Sequence, residues 1–257
     1  MDLNIGIIQT NLHWENPKAN RAMFTRIIMS INTTVDLIIL PEMFTTGFSM
    51  NAKGLAEDPL GETFLWMKSI ALKHDCAITG SYIVKENDKY YNRLLIVDQH
   101  GIVATYDKRH LFTLAGEHNT YTAGEERVVF ELNGWKICPQ ICYDLRFPVW
   151  SRNDLAYDFL FYVANWPNQR IMAWDILLQS RAIENMSYVA GVNRIGTDAN
   201  GYEHTGHSAV YDSLGKQIST SFNEKEGIQI VTLDKTHLQT TRKKLQFLED
   251  QDTFRVD

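Results

Sequence analysis

The chain has 257 residues, 44% of them hydrophobic and 22% charged, with a formal net charge of −6 at pH 7. That length supports one large α/β domain, and the acidic balance, with no basic stripe, speaks against a nucleic-acid partner. No apolar run approaches the roughly 20 residues that cross a bilayer, so no membrane partner is expected, and three cysteines in so long a chain point to a reducing, cytoplasmic compartment rather than a disulfide framework.

The N-terminal residues 4–9 read as a strand rather than a leader peptide, and 17–30 follow with helical spacing. Residues 36–40 (DLIIL) form a short apolar strand bounded by Pro41. Residues 63–73 have an amphipathic helical pattern, and 76–82 a strand closed by Gly80 and Ser81. Segments 94–97 and 102–106 flank His100-Gly101, and 128–132 and 135–141 flank Asn133-Gly134, two hairpin signals of which the second is the stronger. Residues 158–164 (DFLFYVA) are a buried strand, 174–184 a helix and 189–193 a strand. Strands at 208–211, 217–219 and 228–233 complete the set, with a turn at 212–215. Arg242, Lys243 and Lys244 read as a solvated helix face.

Gly and Pro are spread along the chain rather than gathered in a linker, which favours one domain over 1–257 with 234–257 as a C-terminal tail. Hairpins favour antiparallel pairing, and strand–helix–strand units favour parallel pairing. The mixture suggests two mixed sheets packed together with helices outside. Pattern alone leaves open a single mixed sheet covered on both faces.

Two cysteines, Cys138 and Cys142, lie four residues apart along one strand. Four strand residues span about 13 Å, too far for a disulfide. Cys138 sits mid-strand between apolar neighbours, the setting of a small core residue. Cys142 falls where the apolar alternation stops. A nucleophile there is held above the sheet edge, with the backbone N–H of Tyr143 positioned to face a developing oxyanion.

A catalytic cysteine needs a base and an electrostatic stabiliser. Glu42 follows the strand 36–40, Lys108 follows 102–106, and Asn165-Trp166-Pro167 follows 158–164. Groups at strand ends meet in a crevice in α/β sheets. Taken singly, Glu42 caps a turn and Lys108 pairs with Asp107 or lies in solvent. Taken together, Glu, Lys and Cys at strand ends have a chemical use. The rival histidines, His110, His118, His204 and His207, lie in no cysteine-protease signature. His204-x-x-His207 lacks the helical context and third ligand of a metal site and reads as a surface turn.

The segments LPEMF around Glu42, YDKRHLF around Lys108 and ICYDLRFP around Cys142 resemble the nitrilase superfamily of carbon–nitrogen hydrolases. GSYIV, YYNRLLIVDQHG, GEHNTYTAG, VANWP, SRAIENMSYVAGVNRIG and GHSAVYDSLG support the match in order along nearly the whole chain. The resemblance implies a four-layer α-β-β-α sandwich paired into a homodimer or a higher homo-oligomer. It implies the catalytic set Glu42, Lys108 and Cys142, with Glu117 as an additional active-site glutamate, and no metal or other cofactor. PEMFTTGFSMN and CYDLRFPVWSRN are similar to the bacterial omega-amidase branch. That implies a small-molecule amide substrate, 2-oxoglutaramate or 2-oxosuccinamate, hydrolysed through a cysteinyl thioester. The alternatives are an aliphatic amidase, an N-carbamoyl hydrolase or a nitrilase, acyl transfer from the same thioester, and a non-catalytic binding protein of the same fold.

A keto-acid amide carries a carboxylate, for which Arg146 and Arg170 are candidates, although an ion pair with Asp144 or another structural acid ranks slightly ahead for Arg146. Phe48, Tyr82, His118, Asn165 and Trp166 are expected to line the pocket by position. Ordinary core packing competes for Phe48, Tyr82 and Trp166, and a surface loop for His118.

Overall fold

Strand β1 (Leu3–Gln9) sends alternate side chains to opposite faces, and both faces are covered. Ile5 and Ile7 join one apolar cluster, and Ile8 joins another. The same split occurs in β2 (Leu37–Ile39), where Leu37 and Ile39 face one way and Ile38 the other. A strand apolar on both faces belongs between two layers. The computed structural model describes residues 1–255 and shows what those layers are.

The first sheet has the order β13-β1-β2-β3-β4-β5, with β3 at Ala77–Glu86, β4 at Lys89–Val97, β5 at Ile102–Asp107 and β13 at Gly227–Leu233. The second has the order β12-β9-β8-β7-β6, from β6 (Phe130–Leu132), β7 (Trp135–Ile141), β8 (Phe159–Ala164), β9 (Tyr188–Asn193) and β12 (Ala209–Tyr211). Strands β10 (Ile195–Thr197) and β11 (Glu203–Thr205) form a separate hairpin. Within the sheets, β1, β2 and β3 pair in parallel, as do β7, β8 and β9, and the remaining pairs are antiparallel.

The inner faces meet in a core of Ile5, Ile7, Leu37 and Ile39 against Ile137, Phe159, Phe161 and Val163. Helices α1 (Pro17–Ile28) and α3 (Glu62–His74) cover the outer face of the first sheet through Phe24, Met67 and Ile70. The short α2 (Ala52–Leu55) lies in the loop between β2 and α3. Helix α4 (Ile171–Asn185) covers the second sheet, setting Trp174, Leu178 and Ala182 on Leu160, Tyr162 and Val189. Truncating a buried aromatic such as Phe161 or Trp174 to alanine costs about 3–5 kcal/mol at such positions. The result is the four-layer α-β-β-α sandwich of two mixed sheets. Local signals agree with it: Asn16 Oδ1 accepts the Ala19 N–H at 3.1 Å, and Pro17 occupies the first turn of α1.

Several boundaries differ from expectation. The strand begun at 76–82 does not stop at Gly80-Ser81. It runs on to Glu86 and turns through Asn87 and Asp88, both at positive φ, into a nine-residue β4. Gly80 is in the strand because Leu40 and Phe44 press on it: a Cβ there would lie 2.8 Å from the Phe44 ring. Residues 217–219 make only a single bridge, Gln217 to Tyr211. Residues 234–257 open with helix α5 (Lys235–Leu245), capped by Asp234 and anchored by the fully buried Leu238. Arg242 on that helix is not on a solvated face. Its Nη1 lies 3.0 Å from Asp158 Oδ1, and its Nε donates to the Met186 carbonyl. Among the described residues no helix is long and apolar enough to cross a membrane.

Candidate active site

Four strand ends converge. Glu42 stands just beyond β2, Lys108 beyond β5, Cys142 beyond β7 and Asn165 beyond β8. Ser81 on β3 holds the loop after Glu42: its Oγ accepts the Met43 N–H at 2.9 Å and its carbonyl accepts that of Phe44 at 3.0 Å. The β4–β5 ladder continues one step past the strand, so that the Lys108 N–H donates to the Asn92 carbonyl at 3.1 Å. Cys142 has φ +45°, a left-handed conformation that costs a non-glycine residue free energy. It opens the 3₁₀ turn Cys142–Arg146, and Tyr143 follows in the first turn, where backbone N–H groups have no intrahelical acceptor.

The strained turn is held by Asp144, which is fully buried. Its carboxylate accepts from the Ile141 N–H at 3.0 Å, the Tyr106 hydroxyl at 2.7 Å and the His110 N–H at 2.9 Å, and meets His110 Nδ1 at 2.7 Å. One side chain thereby ties the residue before Cys142 to residues on both sides of Lys108. The expected Arg146–Asp144 ion pair is not made, because these partners fill both oxygens. Arg146 instead lies over the Trp166 ring, 4.9 Å from its centroid.

Lys108 Nζ lies 2.9 Å from Glu42 Oε1 and 3.0 and 2.9 Å from the two oxygens of Glu117. All three side chains are fully buried. Lys108 does not pair with Asp107, which takes a bidentate contact from Arg93 instead. Burial alone pushes the Lys108 ammonium down, but Glu117 and then Glu42 outweigh it and hold the group above its ordinary range. Glu117 is raised, first by burial and further by Glu42, against the pull of Lys108. It also accepts the Phe112 N–H at 2.6 Å. Glu42 Oε2 accepts the Asn165 N–H at 2.9 Å, and the Glu42 carbonyl accepts from Asn165 Nδ2 at 2.6 Å.

Cys142 lines the same cavity as Glu42 and Lys108. Burial raises its thiol well above the ordinary range, Glu42 adds to that, and Lys108 opposes without reversing it. Charge balance adds to the larger effect of burial. Two carboxylates already surround one ammonium, so a thiolate would add a third negative charge to a dry site. Cys138 is buried on the outer face of the second sheet, pushed up to about 12 by burial.

The cavity above these groups has a volume of about 680 Å³. Glu42, Lys108 and Cys142 line it, and so do Phe48, Tyr143, Arg146, Asn165, Trp166 and Arg170. Lys108 Nζ is 5.1 Å from the Phe48 ring, and Arg170 lies over Phe112 at 5.2 Å. Two expected lining residues are elsewhere. Tyr82 points into the core under α3, fully buried, with its ring against Phe44. The continuation of β3 past Ser81 sets it on that outer face. His118 is exposed on the 3₁₀ turn Glu117–Asn119, whose geometry turns Glu117 inward and its neighbour out. Glu117 is absent from the cavity lining and lies against Lys108 from behind. His204 is buried rather than in a surface turn. Its Nδ1 faces the Gly196 carbonyl, whereas His207 pairs with Asp175 at 3.0 Å.

Sequence reasoning missed Asn92, Asp144 and the walls supplied by Trp14, Glu15, Phe112 and the β10–β11 turn. Asn92 and its neighbour Arg93 are both polar within the buried part of β4, and nothing local marks which of them faces the site.

The family model described as carbon-nitrogen hydrolase matches residues 4–243. The chain is 45% identical over 255 residues to "Omega-amidase YafV" of Yersinia enterocolitica, covering 98% of each. It is 34% identical over 255 residues to "2-oxoglutaramate amidase" of Bacillus subtilis, covering 97% of this chain and 98% of that one. Among solved structures it is similar to XC1258 of Xanthomonas campestris, described as a CN-hydrolase superfamily protein with an arsenic adduct in its active site. The TM-score is 0.97, with 40% identity and complete coverage of both chains.

Proposed function

Because the chain belongs to the carbon–nitrogen hydrolase family, we propose that it is an omega-amidase, hydrolysing the terminal amide of 2-oxoglutaramate and 2-oxosuccinamate to the dicarboxylic keto acid and ammonia. The observation that carries the reading is the buried contact of Lys108 with Glu42 at the floor of the cavity that Cys142 enters. The relatives named omega-amidase and 2-oxoglutaramate amidase, similar over nearly their whole lengths, support the substrate class.

The raised thiol sets the order of events. Cys142 rests as a thiol, and its proton moves to Glu42 as sulfur attacks the amide carbon. The C–S bond forms and the carbonyl π electrons move to oxygen. The Lys108 ammonium and the Tyr143 N–H stabilise that oxyanion. Glu42 returns the proton to the amide nitrogen, the C–N bond breaks and ammonia leaves. A thioester remains on Cys142. Water, deprotonated by Glu42, attacks it, and the thiol recovers its proton as the acid departs. Glu117 acts through Lys108, holding its ammonium in place and charged.

Arg146 and Arg170 line the same cavity as Cys142, and each guanidinium is packed on an aromatic ring rather than against a carboxylate. They take the distal carboxylate of the keto acid, while Phe48, Asn165 and Trp166 shape the amide end. The chain acts as one hydrolase domain over 1–257 in the cytoplasm, with no cofactor. It pairs as a homodimer or larger homo-oligomer, which the exposed Met172, Ile176 and Ile183 on one face of α4 support.

The test is ammonia release from 2-oxoglutaramate against glutamine, asparagine and simple aliphatic amides. The expected result is kcat/KM highest for 2-oxoglutaramate. A preference for a neutral aliphatic amide overturns the substrate assignment.

A further inference from the structure

Asn92 lies on β4, remote in sequence from every strand-end group, yet it touches three of the site's ionisable residues. Its Nδ2 donates to Glu42 Oε1 at 2.8 Å and points at Glu117 Oε1 at 3.5 Å. Its carbonyl accepts the Lys108 N–H. The side chain is fully buried, and its Oδ1 has no partner among the described residues.

An unpaired buried amide oxygen is uncommon and unfavourable. The alternative orientation is worse, because it sets Oδ1 against two carboxylate oxygens and leaves the donors unused. The charge on Glu42 and Glu117 therefore fixes the amide, and the amide in turn fixes them. Asn92 is neutral, so it brings the carboxylates together without adding to the charge. Lysine or arginine at this point would compete with Lys108, and an acid would repel both glutamates.

We propose that Asn92 is a positioning residue for the hydrolysis: it holds Glu42 and Glu117 on either side of Lys108 and keeps Glu42 ready as the base toward Cys142. The proposal rests on the assignment of Glu42 as that base. A donor to a carboxylate favours its charged form. The titratable groups around Glu42 are Lys108, Glu117 and Cys142, with the Tyr121 hydroxyl one layer out. Loss of the Asn92 donor leaves the Lys108 ammonium and the Asn165 N–H to hold Glu42, and the donor that links the two carboxylates is gone.

The experiment compares Asn92→Leu, which removes the donor at similar size, and Asn92→Asp, which replaces it with a negative charge at the same shape, using 2-oxoglutaramate as substrate. The expected result is a fall in kcat of about 10- to 100-fold with KM little changed, as for other residues that orient a reactive group. The acid limb of kcat/KM against pH moves up by about one pH unit in both variants. If Asn92→Leu does not fold, the isosteric Asn92→Asp carries the test. Unchanged kcat, or a lowered kcat with the acid limb unmoved, overturns the proposal. If the wild-type protein releases no ammonia from 2-oxoglutaramate, the substrate assignment falls, and Asn92 is then read from the pH dependence of Cys142 addition to acrylamide. That reaction needs the same proton transfer but no hydrolysis, and an identical pH dependence in wild type and variants overturns the role.

Discussion

Lys108 Nζ lies 2.9 Å from Glu42 Oε1, across 66 residues of chain, with both side chains fully buried. Glu117 meets the same nitrogen from the other side. Three charges in a dry site are stable only as a set, since each alone carries a large desolvation cost.

Removing the cation therefore damages more than catalysis. Lys108→Met is expected to abolish turnover and to destabilise the fold by about 3–5 kcal/mol at pH 7, the cost of leaving buried charges uncompensated. Glu117 already holds its proton more tightly than an ordinary glutamate. Without Lys108 it holds it more tightly still, so its contribution to stability is full below the unfolded carboxylate range and lost as pH rises. The deficit against wild type is thus expected to shrink from pH 7 to pH 5. Urea unfolding at the two pH values measures it, and a pH-independent deficit contradicts the electrostatic explanation.

The backbone at Cys142 makes a separate prediction. At φ +45°, alanine keeps the left-handed strain and glycine relieves it. Neither Cys142→Ala nor Cys142→Gly is expected to turn over substrate, but the glycine variant should be the more stable by about 1 kcal/mol. Thermal unfolding of the two compares them directly, and equal stability would show that the turn stores no strain.

The resting thiol is raised by burial and by Glu42. Its alkylation by iodoacetamide is expected to keep rising with pH beyond 9 rather than to level off near neutrality. A raised acid ionises later, so the thiolate fraction at pH 7 lies below that of a free thiol. Cys76 and Cys138 are each pushed up to about 12, and Cys142→Ala supplies the background. A plateau below pH 8 would mean a preformed thiolate.

Arg146 and Arg170 are separable by kinetics. Loss of a charge-assisted contact to a substrate carboxylate weakens binding by about 1.5–3 kcal/mol. Arg146→Gln and Arg170→Gln are expected to raise KM for 2-oxoglutaramate by about 10- to 100-fold, leaving a neutral aliphatic amide nearly unaffected. Equal losses on both substrates would assign the arginines to packing against Trp166 and Phe112.

What the sequence showed and what it hid follow from range. Glu42, Lys108 and Cys142 were legible because each follows an apolar strand, and strand ends are where α/β sheets place chemistry. Strand and hairpin patterns pointed to mixed sheets covered by helices, but the choice of two packed sheets over one came from the family resemblance, because an apolar strand looks the same between either pair of layers. Tyr82 was misplaced because a glycine in a strand looks like a terminator, and only the close approach of Phe44 explains Gly80. His118 was misplaced because one residue of offset on a tight turn reverses inside and outside. Asn92 and Asp144 act through partners far away in the chain: 50 residues separate Asn92 from Glu42, and 38 separate Asp144 from Tyr106. No local pattern carries such pairings.

The most direct measurement is rapid acid quenching of the protein during turnover of 2-oxoglutaramate, followed by mass analysis of its peptides. The expected result is the substrate's acyl group on the peptide bearing Cys142, with neither adduct nor ammonia from Cys142→Ala. Ammonia release by Cys142→Ala at the wild-type rate, or an acyl group on any other residue, contradicts the account.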